Sequence, residues 1–265
     1  MRCIAIGAGK GGVGKSTVTV NLALALASKG AIVGVLDADL YGPSIGTMIA
    51  VDTPLSEKEG SIIPAQGLGL FVVSLGYFLQ PDQATIVRAP IANQMITELL
   101  MGVSWPDLDY LLIDFPPGTG DIQLTLMQQT CLSGAILVTT PQEVALLDVA
   151  KAYRMFQQMN VPVLGLVENM SYFKEGEALY YPFGQGGGSR FAKKWQIPML
   201  GEIPITESVS FCADHGISLL SRYPESIAAK TFIEVGDKVE LALVRQVAQE
   251  KEGLRSFTIS LGQGG

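Results

Sequence analysis

The stretch Gly9-Lys10-Gly11-Gly12-Val13-Gly14-Lys15-Ser16 decides the fold predicted for this chain. It follows the apolar run Cys3-Ile4-Ala5-Ile6 and precedes a helical pattern from Ser16 to about Lys29. The spacing G-x-x-x-x-G-K-S/T between a strand and a helix is the pattern of a phosphate-binding loop. Glycines let successive backbone N–H groups point at phosphate oxygens, and the helix N-terminus adds a positive dipole end. The stretch therefore predicts a nucleotide-binding P-loop.

The side chains of this loop have separate expected roles. Lys15 is expected to reach the β- and γ-phosphates, and the Ser16 hydroxyl to complete a Mg²⁺ coordination sphere. Thr17 adds a hydroxyl near the α-phosphate. The predicted phosphate-binding residues of the loop are Gly11, Gly12, Val13, Gly14, Lys15, Ser16 and Thr17.

Apolar strand patterns alternate with helical patterns along the 265 residues. Hydrophobic residues make up 48% and charged residues 16%, which suits a parallel sheet buried on both faces. The alternation predicts an α/β fold: a doubly wound, mostly parallel sheet with helices on both faces. We expect one domain over residues 1–250, closed by a helix from Glu225 to about Lys251, and a flexible tail over 251–265.

Charge and cysteine content exclude several classes of function. The net charge is −7 and no basic run exceeds Lys193-Lys194, which argues against a nucleic-acid partner. No apolar run approaches the roughly 18 residues of a membrane span. Cys3, Cys131 and Cys212 form no C-x-x-C and fit a reducing cytosol better than a disulfide framework. We expect a cytoplasmic protein with neither nucleic-acid nor membrane partners.

Several acids follow predicted strands, at the edge where open α/β sheets bind ligands. Asp114 closes the buried strand pattern that begins at Tyr110, which is the position of an acid that holds Mg²⁺ through water. A lone aspartate there is often a helix cap or turn residue, but the upstream P-loop favours the metal role. Gly118, in the proline-rich loop that follows, is placed for its N–H to sense the γ-phosphate. The candidate metal residues are Ser16, Asp37, Asp39 and Asp114.

The second lysine of the loop, Lys10, points to a particular group of P-loop proteins. The signature K-G-G-V-G-K-S resembles the deviant Walker A motif of MinD, ParA and the nitrogenase iron protein. The resemblance implies that Lys10 reaches across a homodimer to the phosphates of the partner; the alternative is a solvated loop charge. It also implies that Asp39 orients the attacking water, whereas Asp37 stabilises the loop or the outer shell of the metal. Lys10, Lys15 and Asp39 are the catalytic candidates.

The resemblance also implies a base-binding segment. Asn169 follows a core strand, and in this group the matching residue contacts the purine, with Pro204 and Ile205 packed beside it. An asparagine amide carries a donor and an acceptor and can read an adenine edge. From the residue alone, a turn asparagine is the favoured interpretation. The choice of ATP over GTP rests on the resemblance.

Three longer matches narrow the resemblance to one branch, the Mrp/ApbC family. They are D-A-D-L-Y-G-P-S at 37–44, the D-Y and P-P-G-T-G-D-I-Q-L-T elements within 109–125, and E-N-M-S-Y-F at 168–173. The family resemblance implies slow ATP hydrolysis by a homodimer that binds iron–sulfur clusters and delivers them to apo-protein clients.

One departure from the family pattern concerns the cluster itself. Family members that carry a cluster have a C-x-x-C shortly after E-N-M-S-x-F, and two such pairs supply the four thiolates of a 4Fe–4S cluster. Here the span 174–184 has no cysteine, and Glu175 and Glu177 are poorly matched oxygen ligands. The leading hypothesis is a Mg-ATP-dependent homodimeric ATPase of iron–sulfur cluster assembly or transfer that lacks the conventional cluster site. The alternative is a nucleotide-switched positioning or interaction protein of MinD/ParA type.

Overall fold

The computed structural model describes residues 1–40, 42–78 and 89–262, with the backbone alone described at 89, 90 and 249–262. Tyr41 of the D-A-D-L-Y-G-P-S match and the last three residues of the predicted tail lie outside this part. In chain order the strands within it are β1 (Arg2–Ala8), β2 (Val33–Asp37), β3 (Ser56–Lys58), β4 (Ser61–Ile63), β5 (Ala65–Gly67), β6 (Leu70–Ser74), β7 (Tyr110–Asp114), β8 (Gly134–Thr139), β9 (Val163–Glu168), β10 (Phe173–Glu175), β11 (Ala178–Tyr180) and β12 (Met199–Glu202).

The main sheet has eight strands in the order β12-β9-β8-β1-β7-β2-β6-β5. Neighbouring strands are parallel except β5, which runs antiparallel to β6 at one edge. The strands β3 and β4 form one separate hairpin, and β10 and β11 form another. The predicted mostly parallel sheet is therefore confirmed.

Helices cover both faces of this sheet. They are α1 (Lys15–Ala27), α2 (Ile45–Met48), α3 (Ala89–Gly102), α4 (Asp121–Gln129), α5 (Glu143–Gln158), α6 (Gly187–Trp195), α7 (Glu207–His215), α8 (Leu219–Arg222) and α9 (Ile227–Gly262). Along β1, Ile4 and Ile6 belong to the core under α1 and α9, whereas Cys3 and Ala5 belong to the core under α3 to α6. Alternate residues of a strand point to opposite faces, so each strand serves both cores.

Strand register brings the predicted acids to one edge. In the pairing of β2 with β7, Asp37 lies opposite Asp114, and in the pairing of β1 with β7, Ile6 lies opposite Asp114. The chain leaves β1 at Ala8 and enters the P-loop at this same edge. The parallel pairing alone therefore places the P-loop beside the ends of β2 and β7.

Some elements differ from the sequence prediction. The cysteine-free span 174–184, for which no strand was predicted, lies mostly in the exposed hairpin β10–β11, whose turn uses Gly176 at φ 58°. Helices α7 and α8 were not predicted; Thr206 and Ser218 cap them by accepting hydrogen bonds from backbone N–H groups. The last helix continues past the predicted end at Lys251 to Gly262. None of the helices in the described ranges is both long and apolar enough to cross a membrane.

Candidate nucleotide-binding site

The P-loop adopts the conformation that its glycines permit. Gly12 and Gly14 have φ angles of 78° and 82°, in the left-handed region that favours glycine. A Cβ on Gly14 would lie 2.0 Å from Nδ2 of Asn169, so a side chain there is excluded by space as well as by backbone strain. Helix α1 begins at Lys15, and the free N–H groups of its first turn face the loop.

Three side chains of α1 converge on the Asp114 carboxylate. Lys15 Nζ lies 2.7 Å from Oδ2, the Ser16 hydroxyl donates to the same oxygen at 2.6 Å, and the Thr19 hydroxyl donates to Oδ1 at 2.7 Å. Asp114 is fully buried, and one ammonium group and two hydroxyl donors surround its carboxylate. The structure therefore brings Lys15, Ser16 and Asp114 together, and their roles toward a nucleotide and Mg²⁺ stay predictions. Thr19 joins them and was not predicted, because it lies inside the helix and outside the loop motif.

A cleft of about 700 Å³ opens over the P-loop, a size typical of ligand sites. Six predicted phosphate-site residues and the water-orienting candidate Asp39 contribute to its wall: Gly11, Gly12, Gly14, Lys15, Ser16, Thr17 and Asp39. The opposite wall includes Thr47 and Met48 of α2 and Asp214 of α7. These three were not predicted, because α7 was not recognised and α2 carries no motif.

Asp39 and Lys10 differ in their polar contacts with the rest of the chain. Asp39 Oδ2 lies 3.7 Å from Lys15 Nζ, and the Asp39 side chain is 12% exposed. Lys10 is partly exposed, and among the described residues it makes no hydrogen bond or ion pair. Asp39 is therefore close enough to act on a group held by Lys15, whereas Lys10 is directed to no partner within its own described chain.

Asp37 supports the loop after β2. Its carboxylate accepts hydrogen bonds from the Ser74 hydroxyl at 2.9 Å and from the backbone N–H groups of Asp39 at 3.1 Å and Ile45 at 3.2 Å. Burial, and then the neighbouring charge of Asp114, raise the pKa of Asp37 to about 7, against the lowering effect of these hydrogen bonds and of Lys15. The observed contacts match the loop-stabilising role more closely than direct metal ligation.

The loop after β7 is held closed over the end of β1. The Gly118 N–H donates to the Ala8 carbonyl at 3.1 Å, so this amide is engaged within the chain rather than directed at a phosphate. Gln123 accepts from the Gly120 N–H at 2.8 Å and donates to the carbonyls of Pro116 and Pro117. The predicted sensing role of Gly118 therefore needs its bond to Ala8 to open. Gln123 thus caps the start of α4 from one side only, because Gly120 has no side chain to complete the reciprocal bond of a capping box.

Of the three predicted base-binding residues, Asn169 lies next to the P-loop, and none of the three is among the described residues that line the cleft. The Asn169 side-chain amide donates to the Val13 carbonyl at 2.9 Å, and its backbone N–H donates to Thr139. Pro204 is buried, and the Ile205 N–H donates to the Tyr172 carbonyl at 2.7 Å. Asn169 thus supports the back of the P-loop, and its contact with a purine stays a prediction.

The donor set at Ser16 and Asp114 suits a magnesium ion. A hydroxyl and a carboxylate are hard oxygen donors, and Mg²⁺ characteristically takes one or two such protein ligands together with substrate phosphates. Within the described residues, no group of three or more His, Cys, Asp or Glu side chains is arranged to hold a metal ion. The residues present therefore fit Mg²⁺ that enters with a nucleotide.

The three cysteines lie apart from the span where a cluster motif was sought. Cys3 and Cys212 are buried and Cys131 is exposed. Burial, with a smaller contribution from Cys131, raises the pKa of Cys3 to about 12, so its thiol stays protonated. The cysteine-free span itself forms the hairpin β10–β11, whose Phe173 and Tyr180 rings pair at 6.3 Å on an exposed surface.

Comparison with known proteins assigns the family. A family model described as a ParA-type NUBPL iron-transfer P-loop NTPase matches residues 1–240. The chain belongs to this family. An iron–sulfur cluster carrier protein of Synechocystis is 46% identical to this NUBPL-family chain over 244 residues, which are 89% of the chain and 69% of the relative. The resemblance to iron–sulfur carriers is therefore confirmed.

Solved structures give the same fold. A nucleotide-binding protein from Archaeoglobus fulgidus, in complex with ADP, matches the NUBPL-family chain with a TM-score of 0.71 and 39% identity, over 86% of this chain and 93% of the other. The cell-division ATPase MinD of Pyrococcus furiosus matches with a TM-score of 0.67 and 25% identity, over 90% and 98% of the two chains. The predicted MinD-like P-loop fold is confirmed.

Proposed function

We propose that this chain is a Mg-ATP-dependent homodimeric ATPase that acts in iron–sulfur cluster assembly or transfer and lacks a conventional cluster site of its own. The observation that carries the proposal is the convergence of Lys15, Ser16 and Thr19 on Asp114 beneath a P-loop cleft. This arrangement supplies a cation for phosphates and two oxygen donors for a metal at one point. The similarity to iron–sulfur cluster carriers supports the biological role.

Nucleotide binding starts with a change of partner for Lys15. Its ammonium group contacts Asp114 at 2.7 Å in this structure, and phosphate oxygens in the cleft are stronger competitors because they carry more charge. Ser16 and Asp114 would hold Mg²⁺, which when bound neutralises charge on the β- and γ-phosphates. The N–H groups from Gly11 to Gly14 and the Thr17 hydroxyl complete the cradle.

Hydrolysis then needs an oriented water and a stabilised leaving charge. Asp39 lies 3.7 Å from the Lys15 ammonium, so its carboxylate can hold a water close to the phosphate that Lys15 binds. Asp37 keeps this loop in place through the Ser74 and Ile45 hydrogen bonds. Lys10 forms no hydrogen bond or ion pair with another described residue, and we propose that it acts on the phosphates of a second copy, as an added positive charge at the transition state.

The cluster is cargo in this proposal. Four thiolates are the usual ligand set of a 4Fe–4S cluster, and the hairpin β10–β11 offers glutamates and aromatic side chains instead. The role we propose is therefore ATP-controlled contact with client or donor proteins that hold the cluster. The MinD-like fold also allows a second candidate function, a nucleotide-switched interaction protein without iron–sulfur clients. The absence of C-x-x-C from the sequence favours this second candidate.

Replacement of Lys10 by alanine tests the homodimeric site. ATP affinity measured by calorimetry should stay within about threefold of wild type, because Lys15 and the loop N–H groups remain, whereas turnover should fall by about a hundredfold or more, in the range seen when a transition-state donor is removed. The matched control is Lys58→Ala, on the exposed hairpin β3–β4, which should alter neither quantity.

A mixing experiment separates action in the partner from action within the chain. Lys10→Ala subunits combined with Asp39→Ala subunits should regain part of the lost turnover, because a mixed dimer contains one site with both residues intact. Normal turnover by Lys10→Ala alone would refute the role of Lys10, and absence of any recovery in the mixture would place its action within its own subunit.

A further inference from the structure

A groove of about 580 Å³ runs between α5 and α6, away from the nucleotide cleft. Four basic side chains line it: Lys151, Arg154, Arg190 and Lys194. Two of them are balanced by acids, since Arg190 pairs with Glu143 at 2.7 Å and Lys151 pairs with Asp148 at 3.0 Å. In a chain of net charge −7, this groove is a local concentration of positive charge.

The other two cations are positioned by an aromatic ring. Arg154 Cζ lies 5.4 Å and Lys194 Nζ 5.9 Å from the centre of the Trp195 ring. Neither forms an ion pair with another described residue. Trp195 is in turn packed against Tyr153 and Phe191, with ring centres 4.8 and 5.8 Å away. The ring therefore holds two exposed cations at one end of the groove without neutralising them.

The wall of the groove between these cations is apolar. Leu146 and Phe191 form its inner part, and Leu147 is 67% exposed beside them. An occupant must therefore offer apolar side chains to the wall and carboxylates to Arg154 and Lys194. A nucleic acid fits less well, because the overall negative charge of the chain opposes a long polyanion.

The groove is also close to the P-loop. Gly9 packs against the α5 backbone so tightly that a Cβ there would lie 2.0 Å from the carbonyl carbon of Asp148. The same helix turn carries Leu147 and Lys151 of the groove. An occupant of the groove would thus rest on the helix that supports the residue immediately before Lys10.

We propose that the α5–α6 groove, defined by Leu147, Arg154, Arg190, Lys194 and Trp195, is a docking site for an acidic amphipathic segment of a partner protein. The apolar wall provides the contact area, and the two cations held at Trp195 select carboxylates. The nine residues of α6 span roughly 14 Å, enough for about two and a half turns of a docked helix. The proposal does not depend on ATP hydrolysis.

Two synthetic helical peptides of 14 residues provide the probe. Both peptides carry leucines on one face of the helix. On the opposite face, one peptide has glutamates and the other has lysines at the same positions. In a Trp105→Phe background, Trp195 is the only tryptophan, so its fluorescence reports occupancy directly. The glutamate peptide should bind and the lysine peptide should not, and raising the salt concentration should weaken the binding.

Variants assign the binding to the groove. Arg154→Glu with Lys194→Glu should weaken binding of the glutamate peptide by about tenfold or more, since two attractive pairs become repulsive. Leu147→Gln should weaken it by about fivefold through lost apolar contact. The matched charge reversal Lys58→Glu with Lys174→Glu, on exposed hairpins, should leave it unchanged.

Three results would overturn the proposal. The first is equal binding of the glutamate peptide by the Arg154/Lys194 double variant. The second is tighter binding of a single-stranded oligonucleotide, abolished in that variant, which would make the groove a nucleic-acid site. The third is a change in sedimentation of the double variant without any peptide binding by wild type, which would make the groove a contact between copies of this chain.

Discussion

Lys15→Ala is expected to lower ATP affinity by at least about a hundredfold, the largest loss of binding from any single substitution in the cleft. Among the described residues that line the cleft, Lys15 is the only cation. It lies beside Asp114, and truncating one partner of a buried charged contact commonly costs two to five kcal/mol or more, roughly a 30- to 4,000-fold change. Calorimetric titration with Mg-ATP measures the loss.

The same substitution also lowers the stability of the folded chain. The experiment must separate this effect from the loss of ATP binding. Asp114 is fully buried, and without the ammonium of Lys15 its charge is compensated by hydroxyls alone. Breaking a buried ion pair costs roughly 3–5 kcal/mol. The double variant Lys15→Ala with Asp114→Asn removes both charges and should unfold closer to wild type, yet still fail to bind ATP. Nucleotide binding by a well-folded double variant would contradict the assigned role of Lys15.

Asp39→Ala is expected to stop hydrolysis while ATP binding is retained. Loss of a group that positions or deprotonates the attacking water typically lowers turnover by a factor of about 10² to 10⁴. Affinity should stay constant or rise, because a negative charge 3.7 Å from Lys15 is removed from the neighbourhood of the phosphates. Single-turnover phosphate release and calorimetry on the same preparation measure the two quantities.

Asp214→Ala is the matched control for Asp39→Ala. Asp214 is a second carboxylate in the wall of the same cleft, but it approaches from α7 rather than from the loop after β2. Its removal should change turnover by no more than about fivefold, within the range of a surface charge effect. Comparable losses in the two variants would mean that the cleft needs negative charge in general and would remove the specific role of Asp39.

The fold was predictable because its signals are local and mutually consistent. The run Cys3-Ile4-Ala5-Ile6 followed by the P-loop could only be a strand feeding a helix, and Asp114 ended an apolar run of strand length. Parallel pairing then brought these elements together without further information, since the carboxyl ends of adjacent parallel strands share one edge. For this reason Lys15, Ser16 and Asp114 lie together in the structure, while their roles toward a nucleotide stay predictions.

The parts that escaped prediction depend on contacts between distant segments. Thr19 faces Asp114 only because α1 packs above β7, and Asp214 reaches the cleft from α7, nearly two hundred residues after the P-loop. Hairpin β10–β11 has strands of three exposed residues, too short for a periodic hydrophobic signal. The bond from the Asn169 amide to the Val13 carbonyl also escaped prediction, because it joins segments 156 residues apart, and the purine contact implied by the resemblance stays a prediction.

The groove between α5 and α6 shows the same dependence on tertiary structure. In the sequence, Arg154 and Lys194 are forty residues apart and Trp195 looks like an ordinary packing residue. Only the packing of the two helices brings both cations over one ring. If the proposal holds, this chain selects its partner through the α5–α6 groove and binds the nucleotide in a different cleft. Gly9 and α5, which pack against each other, connect the two sites.

Anaerobic reconstitution of the purified protein with iron and sulfide tests the central claim most directly, because it asks whether an ATPase of this carrier family can lack a cluster site. Iron and acid-labile sulfide are counted per dimer, the visible spectrum is recorded, and Mg-dependent ATP turnover is measured on the same sample. We expect intact turnover and no stable cluster, since Cys3 and Cys212 are buried, the hairpin β10–β11 has no thiol, and the exposed Cys131 brings one thiol per chain where a 4Fe–4S cluster at a dimer needs two. Stable loading near one 4Fe–4S cluster per dimer, lost on mutation of Cys131 or Cys212, would contradict it.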